Sequence, residues 1–141
     1  MKTIPLTQGA VALVDDEDYE RVHMYNWHTV RTDNGLYAAR RVYLHSFIMD
    51  APFADHVDHN GLNCQKHNLR VGTQQQNMAN RAGWGASGYK GVQQYGSKFQ
   101  ARIVVNRQKL HLGMYNTAIE AAVAYDNAAR EHFGEFAWTN F

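Results

Sequence analysis

Residues 55–69 gather most of the side chains in this chain that could perform chemistry. The segment reads DHVDHNGLNCQKHNL and contains two Asp-His pairs, an Asn-Gly turn, a cysteine, a further histidine and an asparagine. Histidine and cysteine together suggest a zinc site, whereas carboxylate, amide and imidazole groups suggest a hydrolytic site with a hard metal ion. The spacing of these residues along the chain distinguishes the zinc site from the hydrolytic site.

The zinc interpretation uses His56, His59, Cys64 and His67 as four ligands. Only four residues separate the first ligand pair from the second, whereas about 12 or more usually separate the ligand pairs of small zinc sites. The intervening Asn-Gly sequence also favours a sharp turn. The spacing therefore disfavours zinc, although a zinc-stabilised nucleic-acid binder is an alternative.

The hydrolytic interpretation needs a base that activates water and a cation that stabilises charge on the leaving oxygen. A neutral histidine suits the first task because its ordinary pKa lies close to neutral pH. Carboxylate and amide oxygens suit a hard cation such as Mg²⁺ or Mn²⁺. The segment supplies an Asp-His pair and Asn68, and a predicted helix beyond it carries Asn77 and Asn80 on one face.

An ordered series of motifs resembles the HNH homing endonucleases, particularly their phage and intron members. The series consists of LHSFIM, DHVDHNGLN, NLRVGT and QQQNMAN, and the likeness extends over most of residues 1–81. The resemblance implies a ββα-metal nuclease domain, in which a β-hairpin and a helix hold one metal ion. It also implies a site-specific DNA endonuclease that leaves 5′-phosphate and 3′-hydroxyl ends.

The resemblance assigns roles to four residues of this site. Asp55 and Asn77 would bind the metal ion, and His56 would be the general base. Asn68, the middle member of the motif, would orient the strand of His56 through a hydrogen bond to the backbone carbonyl of His56. The implied cofactor is Mg²⁺ or Mn²⁺.

The remaining polar residues of the motif region have weaker assignments. Arg70 is a candidate phosphate contact, with helix–strand packing as the alternative. Asn80 is a candidate for supporting the site or contacting phosphate, with a plain helix-surface role as the alternative. We expect Cys64 and His67 to be surface loop residues. The role of His45 is left open, because the residue after it departs from the arginine that is usual in the family.

The two Asp-His pairs differ in register. The Asn-Gly-Leu sequence at 60–62 matches the family's loop and puts the first pair, Asp55 and His56, at the catalytic position. This pair continues a β-rich strand, whereas Asp58 and His59 run into the turn. Because a rigid strand positions a base better than a loop does, we predict the first pair and keep the second as the alternative.

Short elements must position these residues. Residues 4–14 predict two strands, and Asp15 predicts the N-cap of a helix that begins with an acidic run. An Asn-Gly pair at 34–35 predicts the turn of a β-hairpin. Arg40 and Arg41 lie on this hairpin and are candidate DNA phosphate contacts, with solvated surface charge as the alternative.

Three glycines lie within residues 82–88, which we interpret as a linker between a domain at 1–81 and a second domain at 89–141. The second domain contains three short alternating strands and a helix capped by Thr117. The helix carries an apolar stripe of alanines and aromatic residues. We predict a three-stranded antiparallel sheet packed on one helix, and the α+β class for the chain.

The second domain resembles the plant ethylene-response-factor type of DNA-binding domain. The YKGV opening, the HLGMYNTAIEAAVAYDNAA passage and the terminal NF carry the likeness across residues 87–141. It implies that the exposed sheet face enters the DNA major groove. The candidate contacts are Lys90, Gln93, Lys98, Arg102, Lys109 and His111. Three of them replace residues usual in the plant family, so base preference is not inherited.

Composition sets the remaining expectations. The net charge is +1, but residues 81–141 hold an excess of basic over acidic side chains that suits a DNA-binding module. No apolar run approaches the ~18 residues of a membrane span, and the N-terminus lacks a hydrophobic signal core. We expect a cytoplasmic protein of a phage-infected or prophage-bearing host, acting on double-stranded DNA as a monomer or homodimer. A non-enzymatic DNA-binding protein with a degenerate nuclease domain is the alternative.

Overall fold

The computed structural model describes residues 1–83 and 85–141; Trp84, inside the predicted linker 82–88, lies outside the described residues. Packing divides the chain into two compact units, residues 1–73 and 74–141. The described residues form four α-helices and four small antiparallel sheets, which confirms the α+β class. Within these ranges, each helix is too short or too polar to cross a membrane.

The first unit consists of three two-stranded antiparallel sheets and two helices. Its paired strands are β1 (Lys2–Pro5) with β2 (Val11–Val14), β3 (His28–Thr32) with β4 (Gly35–Ala39), and β5 (Ala54–His56) with β6 (Leu69–Val71). Its helices are α1 (Asp16–Val22) and α2 (Leu44–Met49). Two-stranded ribbons of this size are marginal on their own, so they depend on a shared core.

That core draws apolar side chains from every part of the first unit. Ile4, Val14, Val22, Leu44 and Ile48 come from two strands and both helices, and each is buried. Full burial of such a side chain contributes about 1.5–3 kcal/mol relative to exposure. The hydrophobic effect therefore joins elements that local hydrogen bonding alone would leave unstable.

The turn between β3 and β4 lies one residue earlier than we predicted. Thr32 pairs with Gly35 across the hairpin, so Asp33 and Asn34 form the turn. Gly35 has a φ of +127°, which L side chains rarely adopt. The glycine therefore serves as the first residue of the returning strand and not as part of the turn.

Asp15 occupies the N-cap position of α1, as predicted, but its carboxylate does not bond to the helix. It accepts hydrogen bonds from the backbone N–H of Lys66 at 2.7 Å and from Nε2 of Gln65 at 3.1 Å. The ammonium of Lys66 in turn lies 2.6 Å from the carboxylate of Glu17. These contacts join the start of α1 to the segment that leads into β6.

The second unit contains the predicted sheet and helix. Its elements are α3 (Gln74–Ala79), β7 (Val92–Tyr95), β8 (Lys98–Val105), β9 (Gln108–Tyr115) and α4 (Ala118–Phe133). The three strands form an antiparallel sheet in the order β7-β8-β9, and α4 packs against it. Asn106 and Arg107, both at positive φ, make the predicted turn between β8 and β9.

The helix α4 begins at the predicted cap. The N–H of Glu120 donates to Oγ1 of Thr117, and the N–H of Thr117 donates to the Glu120 carboxylate, both at 3.2 Å. This reciprocal capping box satisfies two N–H groups at the helix start. On the buried face, Tyr125 lies so close to Gly91 that an added Cβ there would sit 1.9 Å from the Tyr125 ring.

The helix α3 packs with the second unit, although we predicted it as the end of the first domain. Ala79 is buried in the same cluster as Ile103 and Phe133. The ammonium of Lys90 donates to the carbonyl oxygens of Ala79 and Arg81, at the helix end where carbonyl groups lack partners within the helix. These contacts begin before the glycine-rich segment, so the division between the units precedes α3.

Lys90 therefore has a different setting from the exposed one that we predicted for a DNA contact. Its side chain is partly buried, and the ammonium is committed to the two backbone carbonyls. Burial lowers the pKa of Lys90 to about 8. The nearby Asp126 carboxylate has the opposite, smaller effect and raises this pKa. We assign Lys90 to the stabilisation of α3 because its ammonium already donates to these two carbonyls.

Asp126 of α4 holds the last residues of the chain against the second unit. Its side chain is 1% exposed. It accepts hydrogen bonds from the backbone N–H of Asn140 at 2.8 Å, the Asn140 side chain at 2.9 Å and the backbone N–H of Phe141 at 3.0 Å. Three donors to one buried carboxylate make this cluster a major polar constraint of the unit.

We predict that Asp126→Asn lowers the free energy of unfolding by about 2 kcal/mol, since hydrogen bonds to a charged acceptor contribute about 1.5–3 kcal/mol. An amide NH₂ group also cannot accept from the donors around it. Urea denaturation followed by circular dichroism measures the loss. Glu131→Gln removes a carboxylate from an exposed position on the same helix and should change stability by less than about 0.5 kcal/mol. Equal stabilities for the two variants would contradict the assignment.

Candidate active site and nucleic-acid interface

The strands β5 and β6 place the predicted catalytic pair. Asp55 lies opposite Arg70 and His56 lies opposite Leu69 in the antiparallel register. Successive side chains of a strand point to opposite faces, and accordingly His56 is 2% exposed whereas the Asp55 side chain is 18% exposed. The ribbon therefore holds an acid and an imidazole on adjacent residues but in different surroundings.

The second Asp-His pair lies in the turn that follows β5, as the register argument predicted. His59 is exposed and has a φ of +60°, in the left-handed region. Its backbone N–H donates to the carbonyl oxygen of His56 at 3.3 Å. His59 is thus a turn residue in this structure.

Contrary to our prediction, Asn68 does not donate to the backbone carbonyl of His56. Its Nδ2 group donates to Oδ1 of Asp58 and to the carbonyl oxygen of Asn63, both at 2.8 Å. Its Oδ1 accepts from the backbone N–H of Asp58 at 3.0 Å. The carboxamide therefore closes the loop after β5 and holds β5 and β6 together at their shared end.

Asp58 is the acceptor at the centre of this loop, a role that the sequence analysis missed. Besides Asn68, it accepts from the backbone N–H of Asn60 and from Nδ2 of Asn63, both at 2.8 Å. Burial raises the pKa of Asp58, but the hydrogen bonds outweigh burial and the pKa is lowered overall. Asparagines two and five residues after an aspartate are the signal for such a loop, since Asx side chains bond nearby backbone groups.

The imidazole of His56 packs among aromatic side chains from the β3–β4 hairpin and α2. Its ring centroid lies 4.7 Å from that of His45 and 5.7 Å from that of Tyr37, both nearly edge-on. Tyr43 stacks on His45 at 5.4 Å. His45 thus packs directly on the predicted base, although its motif position left its role open.

Cys64 is fully buried, so our expectation that it is a surface loop residue was wrong. Its backbone N–H donates to the carbonyl of Leu13 at 2.8 Å, and the N–H of Leu13 donates to the carbonyl of Leu62 at 2.8 Å. These two bonds attach the loop to β2 and carry the cysteine into the core of the first unit. His67, by contrast, is exposed as expected.

The four candidate zinc ligands are not brought together. His56 and Cys64 are buried side by side, whereas His59 and His67 are exposed. Across residues 1–83 and 85–141, no three His, Cys, Asp or Glu side chains are grouped so that they could hold a metal ion. Burial raises the pKa of Cys64 to about 12, which disfavours the thiolate that zinc requires. The arrangement does not support the zinc alternative.

Two residues carry oxygen atoms suited to a hard cation. The Asp55 carboxylate has Oδ2 at 3.3 Å from Nη2 of Arg70 and is partly exposed. In the second unit, Oδ1 of Asn77 is buried and has no hydrogen-bond partner among the described residues. Because a buried acceptor without a partner is unfavourable, coordination of a cation by Oδ1 of Asn77 would remove this cost. Each residue, taken by itself, fits the ligand chemistry of Mg²⁺ or Mn²⁺.

The predicted DNA contacts of residues 1–81 have varied settings. Arg40 and Arg41 follow the end of β4 and are exposed, with the Arg40 guanidinium 4.2 Å from the centroid of the Tyr25 ring. Arg70 is paired with Asp55. Asn80 is buried at the end of α3, which corrects the prediction that it contacts phosphate from the protein surface.

The outer face of the second unit's sheet carries most of the other candidates. Arg102 lies opposite His111 in register, and both are exposed. Nε2 of Gln100 and Nδ1 of His111 are 2.7 Å apart. Lys98 and Lys109 are also exposed, whereas Gln93 is half-buried. The face also includes the exposed apolar residues Val104 and Met114. Cationic, amide and apolar groups together suit contact with phosphates and base edges.

Burial makes His45 and His56, whose rings pack on each other, weakly basic. Burial lowers the pKa of His56 to about 4. The Asp55 and Asp58 carboxylates have the opposite, smaller effect and raise this pKa. Burial and the charge of His56 lower the pKa of His45 to about 3. Nδ1 of His45 is buried without a hydrogen-bond partner in the described ranges, so a proton added there would have no acceptor. Both rings are therefore neutral at neutral pH.

The metal-free protein should lose stability as the pH falls below about 6.5, because the unfolded histidines bind protons that the folded ones exclude. Stability is complete above this pH and decreases by up to about 1.4 kcal/mol per pH unit for each histidine, until the folded pKa values near 3 and 4 are reached. Urea denaturation between pH 4.5 and 7.5 measures the slope. His45→Gln should reduce it, whereas His28→Gln, at an exposed position of β3, should not. An unchanged slope in His45→Gln would contradict the role of burial.

Comparison with known proteins places the chain in a family. No family model matches it. It is 31% identical over 144 residues to an uncharacterised HNH endonuclease of Acanthamoeba polyphaga mimivirus, across 94% of this chain and 76% of that protein. Two Arabidopsis thaliana proteins match over 61 residues each: an ethylene-responsive transcription factor at 48% identity and an AP2-like ethylene-responsive transcription factor at 46%. These two matches span 40% of this chain but only 14% and 18% of the plant proteins. Because the viral match extends over nearly the whole chain, the chain belongs to the HNH endonuclease family.

Proposed function

We propose that the protein is a site-specific DNA endonuclease of the homing type, which hydrolyses phosphodiester bonds with one divalent metal ion and a histidine base. The observation that carries this proposal is the placement of Asp55 and His56 on consecutive positions of β5, locked by pairing with β6. Membership of the HNH endonuclease family supports the same chemistry. The ββα-metal arrangement and the roles of single residues are part of the proposal.

His56 would act as the general base. Its low pKa keeps the ring neutral at neutral pH, so a lone pair is available to accept a proton from water. Nε2 lies 3.7 Å from Sγ of Cys64, and Nδ1 is the other nitrogen of the ring. We assign the proton transfer to Nδ1, and the deprotonated water would then attack the phosphorus.

Asp55 would supply a carboxylate oxygen to the metal ion. The bound Mg²⁺ or Mn²⁺ would stabilise the negative charge that develops on the leaving oxygen. Arg70 lies 3.3 Å from the Asp55 carboxylate and would limit its rotation. The hydrogen bonds between Asn68 and Asp58 keep the end of β5 rigid, which catalytic geometry requires.

The sheet of the second unit would bind double-stranded DNA. Its exposed face presents Arg102 and His111 in one cross-strand pair, with Lys109 nearby on the same strand as His111. Partial similarity to two plant ethylene-responsive transcription factors supports this proposal. Arginine makes bidentate contacts with guanine in the major groove, so Arg102 is the leading candidate for a base contact.

The decisive test of the enzyme is cleavage of a DNA library in the presence of Mg²⁺ or Mn²⁺. His56→Ala should lower the cleavage rate by about 100-fold or more, since a positioned general base contributes about 10²–10⁴-fold. His59→Ala is the matched control because it removes an exposed histidine of the neighbouring turn. It should leave the rate within about threefold of wild type, since surface changes away from a site have small effects.

Two outcomes would overturn this assignment. Activity that survives His56→Ala but is lost in His59→Ala would identify the second Asp-His pair as catalytic. DNA binding without cleavage, with either metal and any library member, would favour the non-enzymatic DNA-binding protein. Both outcomes are read from the same gel, together with the 5′-phosphate expected on the products.

Binding by the sheet is tested with Arg102→Ala. The affinity for a selected DNA site should fall by about 1–3 kcal/mol, and discrimination at one base pair should relax, if Arg102 contacts a base edge. Arg107→Asn removes the same charge from the turn between β8 and β9, where asparagine tolerates the positive φ. Fluorescence anisotropy at fixed salt should show a smaller and sequence-independent loss for this control. Equal losses for the two variants would remove the base-contact role.

A further inference from the structure

The thiol of Cys64 is one of the nearest polar neighbours of the His56 ring. Sγ lies 3.7 Å from Nε2 of His56 and 3.9 Å from the carbonyl oxygen of Gly61. Both distances are within the range of hydrogen bonds to sulfur, and both contacts are buried. The three groups therefore form a short series in the core, from imidazole to thiol to carbonyl.

The direction of the hydrogen bonds in this series follows from the chemistry of its ends. A backbone carbonyl only accepts, so both contacts can be hydrogen bonds at once only if the Cys64 thiol donates its single proton to the Gly61 oxygen. The sulfur is then left as an acceptor, and Nε2 of His56 must carry the proton that it receives. In a neutral imidazole the other nitrogen, Nδ1, is then unprotonated.

The backbone around Cys64 holds both partners in place. Gly61 approaches the β3–β4 hairpin so closely that a Cβ there would lie 2.3 Å from the carbonyl oxygen of Leu36 and 2.6 Å from the Tyr37 ring. Cys64 itself is attached to β2 through the carbonyl of Leu13. The positions of the His56 imidazole, the Cys64 thiol and the Gly61 carbonyl thus depend on tertiary contacts of the loop and not on side-chain conformation alone.

We propose that Cys64 is a positioning residue of the active site, whose thiol fixes the His56 tautomer with the proton on Nε2 and so leaves Nδ1 as the base. This inference rests on the proposed role of His56 and adds the group that makes one nitrogen of the ring the reactive one. Cys64 does not touch DNA or metal in this scheme; it acts only through His56.

Two further observations agree with the proposed direction. The burial that raises the pKa of Cys64 to about 12 keeps the thiol protonated at neutral pH, as a donor to Gly61 must be. The opposite tautomer would place the proton on Nδ1 and leave Nε2 and the Gly61 oxygen to compete for the single thiol proton. That tautomer would also occupy the lone pair that a general base needs.

The tautomer is measured directly by long-range ¹H–¹⁵N correlation of the imidazole nitrogens in the labelled, metal-free full chain at pH 7.5. The wild type should show His56 protonated on Nε2. Cys64→Ala should give a mixture of both tautomers, whereas Cys64→Ser, whose hydroxyl can also accept and donate, should retain the wild-type pattern. Val22→Ala removes methyl groups from the same core away from His56 and should leave the tautomer unchanged despite lower stability.

The cleavage rate provides the second readout, below the melting temperature of every variant. Cys64→Ala should lower the rate by about 10-fold or more, in the range seen when groups that orient a catalytic ligand are lost. Cys64→Ser should recover most of this loss, and Val22→Ala should cleave at the wild-type rate.

Three results would overturn the proposal: a wild-type His56 protonated on Nδ1, an unchanged tautomer in Cys64→Ala, or equal rate losses in Cys64→Ala and Val22→Ala. Failure of the proposed function has a different signature. If the wild type does not cleave any DNA, the nuclease assignment fails, while the tautomer spectra still decide whether Cys64 controls the His56 ring.

Discussion

The hydrogen bonds between Asn68 and Asp58 are the constraint on which the candidate active site depends. The strands β5 and β6 are only three residues long each, and so short a ribbon has little stability of its own. The Asn68 carboxamide binds both the backbone and the carboxylate of Asp58, and the backbone N–H of Val57 adds a bond to the Asn68 carbonyl at 2.8 Å. These bonds continue the pairing beyond the strands and fix the end at which the predicted base lies.

This local constraint gives adjacent residues opposite environments. Because β5 is extended, His56 points into the core and Asp55 toward the partly exposed face. Burial keeps the imidazole neutral, while the Asp55 carboxylate lies beside Arg70. The proposed base and the proposed metal ligand thus occupy neighbouring positions of one strand in different surroundings.

The second unit uses buried polar groups in a similar way, but for packing. Asp126 binds the last residues of the chain, and Lys90 binds carbonyls at the end of α3. Asp126 is thereby buried, and the Lys90 ammonium is occupied by backbone acceptors. The sheet keeps its outward face for Arg102 and His111, so the side chains available to DNA are fewer than the count of basic residues suggests.

Much of the fold follows from local sequence rules. The capping box at Thr117, the turn at Asn106 and Arg107 and the alternating strands of the second unit are short-range features, and the structure confirms them. The order of motifs also identified the family, because each motif lies within a short segment. The turn after β3 differed by a single residue, since the cross-strand register and not the Asn-Gly pair alone set its position.

The sequence by itself therefore determined the elements, their order and the rigid strand that carries Asp55 and His56. Only the tertiary structure decided which polar side chains contact other parts of the fold. Asn68 donates to Asp58, Cys64 lies beside His56, and Lys90 donates to a carbonyl at the end of α3. The physical reason is that these partners meet through packing between separate elements. Spacing along the chain carries no information about such contacts, whereas burial and hydrogen-bond geometry specify them.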